Sequence, residues 1–423
     1  MVSDHKTTQG SLGTVERRRY MPSPAANTAA VLIHCYRGTG STRIEKLTSQ
    51  AASDTYLAPK LRESPDNGKS WGDWRTVPDN DLRQGHIYMA LHELGRYHDP
   101  ACGKLFRLTL QRLFIGDPED ILRNAFRTGN HGGYRDHAIY QISEDEGETW
   151  GPMRLIKYED GPEFNPAEWG NADYLNRNQM YSGYNAIAVS DGALLYSACA
   201  TVNCQQEDIC EVVCGVKVFK GVFNAAENRY DWRTPSLLTV PKRISSRGLM
   251  EPWLSALSDG RTYLGMRGSN SEFTPGRHWH SVSKDNGETW APITDLRYDT
   301  GEQFYSPSSF AKTLRSAKTG KLYWFGNIVP EPSQGNWPRH PLVIAEIDET
   351  QIAIRKSTVT TIDGYEPDGD AGPFMQLSNF SLLENRDSKD IELYLTRYGE
   401  AGAFKEKSYY QAAVFKYVIT LAK

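Results

Sequence analysis

The sequence predicts an all-β fold, a six-bladed β-propeller, from its composition, from a repeated octapeptide and from the spacing of that repeat. The 423 residues include 23 Tyr, 10 Trp, 36 Gly and 22 Pro. Aromatic residues favour strands, whereas Gly and Pro favour turns. Long helical periodicity is scarce, and the best short helix candidate, PEDILRNAF at residues 118–126, is expected in a loop.

The octapeptide occurs as SPDNGKSW (Ser64–Trp71), SEDEGETW (Ser143–Trp150) and SKDNGETW (Ser283–Trp290). Each copy follows a strand-like run, and its Asp and Gly favour a tight turn, so we expect a hairpin tip with the Trp packed beneath it. The copies begin 79 and 140 residues apart, which suits one and two units of about 70 residues and divides the chain into about six units. We expect one propeller domain over residues 1–423, with residues 1–16 as a flexible N-terminal extension.

The composition argues against several partners. The formal net charge of −4 provides no basic field for nucleic acid. No run of about 18 apolar residues suggests a membrane span, and the first twenty residues lack a signal-peptide core. Four cysteines fall within sixteen residues without the C-x2-C pairs of a zinc ribbon. Their spacing suits one or two hairpin disulfides or four reduced thiols, and we expect neither a metal nor a cofactor.

The octapeptide resembles the Asp-box, the bacterial neuraminidase repeat of the sialidase-like superfamily. This resemblance implies a propeller of the sialidase type and covers the chain from about Arg19 to its end. The repeats lie at the rim of such propellers and also occur in propellers that are not sialidases. They therefore bear on the fold, and the activity must be argued from other residues.

The segment EPWLSALSDGRTYLGMR (Glu251–Arg267) resembles the sialidase segment in which a Glu opens one strand and an Arg ends the next. In that family the Glu serves the nucleophile and the Arg clamps the substrate carboxylate. The planar guanidinium suits this role because it binds a carboxylate through two parallel hydrogen bonds. The resemblance assigns catalysis to Glu251 and substrate binding to Arg267.

Further residues follow from the same resemblance. Arg339, in GNIVPEPSQGNWPRHPL, matches the next clamping Arg. The family binds the substrate carboxylate with a triad of arginines, and the first of these has two candidates in this sequence. Arg19 lies near a motif displaced by one residue, and Arg37 resembles an extra Arg close to the family's acid/base Asp. Asp54 precedes the first octapeptide by ten residues, as the catalytic Asp does, and would protonate the leaving oxygen.

One departure concerns the nucleophile. Retaining sialidases use a Tyr in a Tyr-Ser pair, whereas the equivalent stretch here reads QLSN, with Gln376 and Leu377 where the Tyr is expected. Tyr365, Tyr394 and Tyr398 lie nearby, but none keeps the motif. Glu251 would therefore act as base either on a Tyr elsewhere, with retention, or on water, with inversion.

A second cluster, GNHGGYRDH, precedes the second octapeptide. His131 precedes the second octapeptide by nearly the same distance as Asp54 precedes the first. His131 and Tyr134 are natural proton-transfer groups, and Arg135 could neutralise a carboxylate. Uronate lyases on propeller scaffolds use such pairs.

Three hypotheses follow, each with an acidic carbohydrate as partner. The leading one is an exo-acting glycoside hydrolase that releases a terminal acidic sugar, a sialic acid or a related 2-keto acid. The alternatives are a uronate-specific polysaccharide lyase and a non-catalytic glycan-binding propeller. The missing Tyr favours the binding protein. The many charged residues at predicted strand ends argue against it, because gathered charges cost desolvation unless they are used.

Overall fold

The computed structural model describes residues 3–52, 57–77, 82–128, 132–206 and 209–422. Six antiparallel sheets form a six-bladed β-propeller, which confirms the predicted fold class. The described helices are short: α1 (Pro118–Thr128), α2 (Ala172–Asn176) and 3-10 turns at Lys356–Thr358 and Lys407–Tyr410. Helix α1 contains the predicted helical segment and lies in a connection between two strands of one blade.

The chain enters through two strands, β1 (His5–Gly10) and β2 (Gly13–Met21). Blade 1 then follows as β3 (Ala29–Tyr36), β4 (Arg43–Gln50), β5 (Leu57–Ser64) and β6 (Arg75–Thr76). Blade 2 comprises β7 (Leu82–Gln84), β8 (Ile87–Asp99), β9 (Lys104–Ile115), β10 (Tyr134–Ser143) and β11 (Arg154–Leu155). Blade 3 comprises β12 (Tyr181–Ala188), β13 (Leu194–Gln206), β14 (Ile209–Asn224) and β15 (Arg229–Leu238).

Blade 4 comprises β16 (Met250–Ala256), β17 (Thr262–Arg267), β18 (His278–Ser283) and β19 (Thr294–Asp295). Blade 5 comprises β20 (Lys312–Arg315), β21 (Leu322–Asn327), β22 (Leu342–Asp348), β23 (Ala353–Ile354) and β24 (Thr360–Asp363). Blade 6 joins β25 (Ser381–Glu384), β26 (Ile391–Thr396) and β27 (Val414–Leu421) to the two N-terminal strands, in the order β25-β26-β27-β2-β1.

The N-terminal strands close the ring. Strand β2 pairs with β27 from Gly13 opposite Leu421, and β1 pairs with the outer edge of β2. The sequence predicts residues 1–16 to be a flexible extension, whereas residues 5–16 mostly belong to this sheet. The physical reason lies in their side chains, because Leu12 and Val15 are buried in the apolar cluster between blades 5 and 6.

The core is divided among the interfaces between neighbouring blades. One cluster packs Phe325 of blade 5 against Leu393 and Phe415 of blade 6. Between blades 6 and 1 lies an ion pair in which the buried Arg43 donates to Glu392 at 2.7 Å. Because the innermost strands of neighbouring blades also contact one another, residues far apart in sequence meet around a shared axis.

The octapeptides form the predicted hairpin turns with one shared hydrogen-bond pattern. In the second copy the Ser143 hydroxyl donates to Asp145 at 2.8 Å, and the Thr149 backbone N–H donates to the same carboxylate at 2.8 Å. The first and third copies repeat both bonds. The side-chain hydroxyl of Ser70, Thr149 or Thr289 also donates to the central Asp of its copy. This bond has the largest effect, and together with the others it lowers the pKa of each central Asp to about 2. Each turn follows the third strand of its blade, counted outward from β3, β8 or β16.

Candidate functional site

Strand direction divides the propeller into two faces. We call the upper face the end at which the innermost strands β3, β8, β12, β16, β20 and β25 begin. Because successive strands are antiparallel, the connection between the second and third strands of each blade, counted outward from these six strands, also lies there. The octapeptide turns after the third strands lie at the opposite, lower face.

Glu251 and Arg267 form an ion pair at the upper end of blade 4. Glu251 lies near the start of β16, Arg267 ends β17, and Glu251 Oε1 lies 2.7 Å from Arg267 Nη1. The pairing of the two strands shifts register between Met250 and Trp253, and Glu251 adopts a φ of 46°. Such bulges and left-handed residues re-aim side chains and cluster at functional sites.

Arg339 reaches the same place from blade 5. Arg267 Nε donates to the Ser308 hydroxyl at 2.8 Å, and Arg339 Nη2 donates to the Ser308 carbonyl at 3.2 Å. Asn336 accepts from both arginines, through its side chain from Arg267 at 3.1 Å and through its carbonyl from Arg339 at 3.1 Å. Blade 6 contributes Ser378, whose hydroxyl lies 3.4 Å from Arg339 Nη1. The two buried guanidinium groups are therefore neighbours, held by residues of three blades.

A small cavity of about 10 Å³ opens beside this pair, lined by Glu251, Arg267, His278 and Lys312 among others. Glu251 Oε2 and His278 Nε2 are buried there without a hydrogen-bond partner among the described residues. Burial, reinforced by the Arg267 cation, lowers the pKa of His278 to about 4, so the imidazole is neutral at pH 7. Burial also opposes the charge of Arg267, but the Glu251 carboxylate outweighs this and raises the pKa of Arg267.

Lys312 adds a further cation at the start of β20. Its ammonium lies 4.9 Å from the Phe310 ring, 5.0 Å from the Trp253 ring and 5.8 Å from the Tyr184 ring. No carboxylate of the described residues forms an ion pair with it. Burial lowers the pKa of Lys312 to about 8.

Two tyrosines of β12 complete this side of the upper face. The hydroxyls of Tyr181 and Tyr184 lie 3.3 Å apart, and both phenols act electrostatically on Arg267. Behind them, Cys199 and Cys214 face each other on β13 and β14. Their mutual hydrogen bond raises the pKa of Cys199 and lowers that of Cys214. All six cysteines are free thiols, so the predicted alternative of reduced cysteines holds over that of disulfides.

Two of the predicted arginines lie elsewhere. Arg37 follows β3, which places it at the lower face, where it pairs with Glu148 of the second octapeptide at 2.7 Å. Arg19 lies on β2, the fourth strand of blade 6, and its guanidinium is held by Asp4 and Glu400. Neither residue joins Arg267 and Arg339, because Arg37 is at the wrong end of the first strand and Arg19 is on an outer strand.

The second predicted cluster divides as well. Tyr134 opens β10 at the upper face, where Arg112 lies 4.3 Å over its ring. Arg112 is in turn held by both oxygens of Asp136, each at 2.7 Å. Arg135 donates to the carbonyls of Gly132 and Tyr134 of its own loop. Asp54 and His131 lie outside the described residues.

Several residues of this face are not predicted from the sequence. Ser308, Asn336 and Lys312 carry no motif, and only the packing of blades 4, 5 and 6 brings them together. Arg112 could have been found from the sequence, because it is a charged residue within the largely apolar strand KLFRLTLQRLFI of β9. For metals, no group of three or more His, Cys, Asp or Glu within the described ranges could hold an ion. None of the described helices has the length and apolar character needed to span a membrane.

No protein-family model and no curated protein sequence matches the chain. Several solved structures share its fold. The NanB sialidase of Streptococcus pneumoniae is 12% identical over 95% of this chain and 70% of that one, with a TM-score of 0.58. A protein of unknown function from Dyadobacter fermentans is 11% identical over the whole of both chains, with a TM-score of 0.57.

An α-L-arabinanase of Penicillium chrysogenum is 13% identical over 98% of each chain, with a TM-score of 0.51. At these identities the likeness concerns the fold alone. The comparison therefore supports a sialidase-like propeller fold, which glycoside hydrolases with different substrates share.

Proposed function

We propose that this chain is an exo-acting glycoside hydrolase that releases a terminal acidic sugar, a sialic acid or a related 2-keto acid. One observation carries the proposal: two buried arginines from different blades lie side by side, next to a carboxylate with one unpartnered oxygen. The fold supports it, since structures named as sialidases are built on the same kind of propeller.

The arginines would bind the carboxylate of the sugar. Ser308, Asn336 and Ser378 orient the two guanidinium groups through neutral oxygens, and these fix geometry without cancelling charge. Arg267 is paired with the Glu251 carboxylate, and Lys312 adds a positive charge. Charge-assisted bonds from pre-oriented arginines favour an anionic ligand, because little side-chain entropy remains to be lost on binding.

Glu251 would act as the base. Its Oε1 is held by Arg267, while Oε2 is buried without a hydrogen-bond partner among the described residues. It would accept a proton either from a tyrosine, with a covalent intermediate and retention, or from water, with inversion. Asp54 keeps the role of proton donor to the leaving oxygen as an assignment from the sequence.

The resemblance to sialidases implies a nucleophilic Tyr in the segment around Gln376. That segment lies beside Arg339. Gln376 pairs with Arg339 through the backbone, and Ser378 is the side chain that reaches the guanidinium. This segment thus supplies a hydroxyl for orienting Arg339 and no phenol. Two phenols, Tyr181 and Tyr184 of β12, act electrostatically on Arg267.

The test is the release of acidic sugar from 3′-sialyllactose by the wild type and three variants. We expect Glu251→Gln to lower kcat by about 10²- to 10⁴-fold, the range for loss of a general base. We expect Arg267→Ala to lower kcat/KM by about 10- to 100-fold, because a charged hydrogen bond contributes about 1.5–3 kcal/mol. Arg37→Ala is the matched control at the lower face and should leave both constants unchanged. Full activity of both Glu251→Gln and Arg267→Ala would refute the assignment.

Proton NMR of the first-formed anomer then separates the two forms of the mechanism, since a covalent intermediate gives retention and direct attack by water gives inversion. The wild-type protein, supplied with other carbohydrates, tests the two alternative functions, a uronate lyase and a glycan-binding protein. A rise in near-ultraviolet absorbance with uronate polymers would assign elimination, and glycan binding without turnover would assign a binding protein.

A further inference from the structure

An open groove lies at the upper face beside the candidate site. The connection between β26 and β27 forms one side, and the segment before β25 forms the other. The groove has a volume of about 600 Å³, within the usual size range of ligand pockets. Its lining includes Phe374, Phe404 and Lys405, and most of the remainder is Gly, Ala and Pro.

The two phenylalanines are unusually exposed for their size. Phe374 is 48% exposed and Phe404 is 40% exposed, yet their ring centroids lie only 5.9 Å apart. A contiguous exposed aromatic patch indicates a binding surface more often than scattered apolar residues do. Among the described residues of the lining, Lys405 is the only charged one, so the groove suits a neutral ligand that presents an apolar face.

A third aromatic ring connects this patch to the candidate site. The ring of Trp337 lies 4.9 Å from that of Phe404 and 5.7 Å from that of Phe374. The guanidinium of Arg339 lies 5.8 Å from the same Trp337 ring. Trp337, on the loop that also carries Asn336, therefore lies close both to the aromatic patch and to the arginine clamp formed by Arg267 and Arg339.

We propose that the groove is the subsite for the neutral pyranose to which the acidic sugar is linked, with its C–H face on Phe374 and Phe404. This inference rests on the proposed function, because the acidic sugar fixes which end of the ligand enters the clamp. The pyranose face is apolar and its hydroxyls point outward, which matches an aromatic surface bordered by loop backbone. The groove would therefore contribute affinity for glycosides and none for the free acidic sugar.

The experiment compares two ligands in the Glu251→Gln background, in which turnover is expected to be slowed about 10²- to 10⁴-fold. Isothermal titration of the Glu251→Gln protein with N-acetylneuraminic acid and with 3′-sialyllactose measures the preference for the glycoside. We expect the glycoside to bind at least about tenfold more tightly, a difference of about 1.4 kcal/mol. The double variant Phe374→Ala/Phe404→Ala should lose this preference and keep its affinity for the free acidic sugar.

Phe273→Ala is the matched control. This residue is 74% exposed and lies on the upper-face connection between β17 and β18, outside the groove, so its removal should change neither affinity. Equal affinity of the Glu251→Gln protein for both ligands would overturn the subsite while leaving the clamp in place. Parallel losses for both ligands in the double variant would also overturn it. Failure of either ligand to bind would overturn the proposed function and the subsite together.

Discussion

Replacing Lys312 with Met tests whether the positive charge of Lys312 beside the small cavity lowers the stability of the protein. The ammonium lies among the rings of Tyr184, Trp253 and Phe310, and no described carboxylate forms an ion pair with it. A buried charge without a counter-ion destabilises the folded state. Met has a similar length and volume, so the substitution removes the charge and little else.

The magnitude follows from the pKa of Lys312, which burial lowers from 10.5 to about 8. At about 1.4 kcal/mol for each pH unit, the charged form is disfavoured by about 3 kcal/mol in the folded state. The aromatic rings return about 1 kcal/mol of this through cation–π attraction. We therefore expect Lys312→Met to be more stable than the wild type by about 2 kcal/mol at pH 7.

The sign of the pH dependence is fixed by the same shift. Below pH 8 the side chain is charged in both the folded and the unfolded state, so the full cost applies. Above pH 10.5 it is neutral in both, and the cost is gone. Urea unfolding of both proteins at pH 7 and pH 10 should show the advantage of Lys312→Met shrinking to less than half at the higher pH. A variant less stable than the wild type at pH 7, or an advantage independent of pH, would refute the reasoning.

Three further predictions concern the scaffold. Asp145→Asn removes the carboxylate that orders the second octapeptide. Because folding lowers the pKa of Asp145 from 3.8 to about 2, the carboxylate stabilises the protein above pH 4 and loses this effect towards pH 2. The urea midpoints of the variant and the wild type should therefore converge in acid. Glu392→Gln leaves the buried Arg43 without its counter-ion, and thermal unfolding should reveal a loss of about 3–5 kcal/mol; an unchanged melting temperature would contradict this. Cys210 is exposed whereas Cys199 is buried, so brief iodoacetamide treatment followed by mass spectrometry should label Cys210 first, and early labelling of Cys199 would count against the structure.

The fold could be predicted because its signals are local. Each octapeptide carries its own turn chemistry, with an Asp that binds the backbone and a Gly that permits the positive φ. The spacing of the copies then sets the size of the repeating unit. The Glu251–Arg267 pair could be predicted for the same reason, because both residues belong to one hairpin, which alone brings them together.

The rest of the site depends on strand direction and on contacts between blades. Arg37 directly follows the first strand of its blade. That strand ends at the lower face, whereas Glu251 lies near the start of another first strand, at the upper face. A count of strand reversals from Ala29 would have placed Arg37 correctly. The positions of Ser308 and Asn336 could not be predicted, because neither has a motif and both take their roles from arginines on neighbouring segments.

The most direct test of the central claim is a crystal structure of the Glu251→Gln protein with a bound acidic monosaccharide. The account predicts the sugar carboxylate within hydrogen-bonding distance of the guanidinium groups of both Arg267 and Arg339, with the ring extending towards residue 251. A carboxylate bound at another face, or bound at the upper face without contact to either arginine, would contradict it.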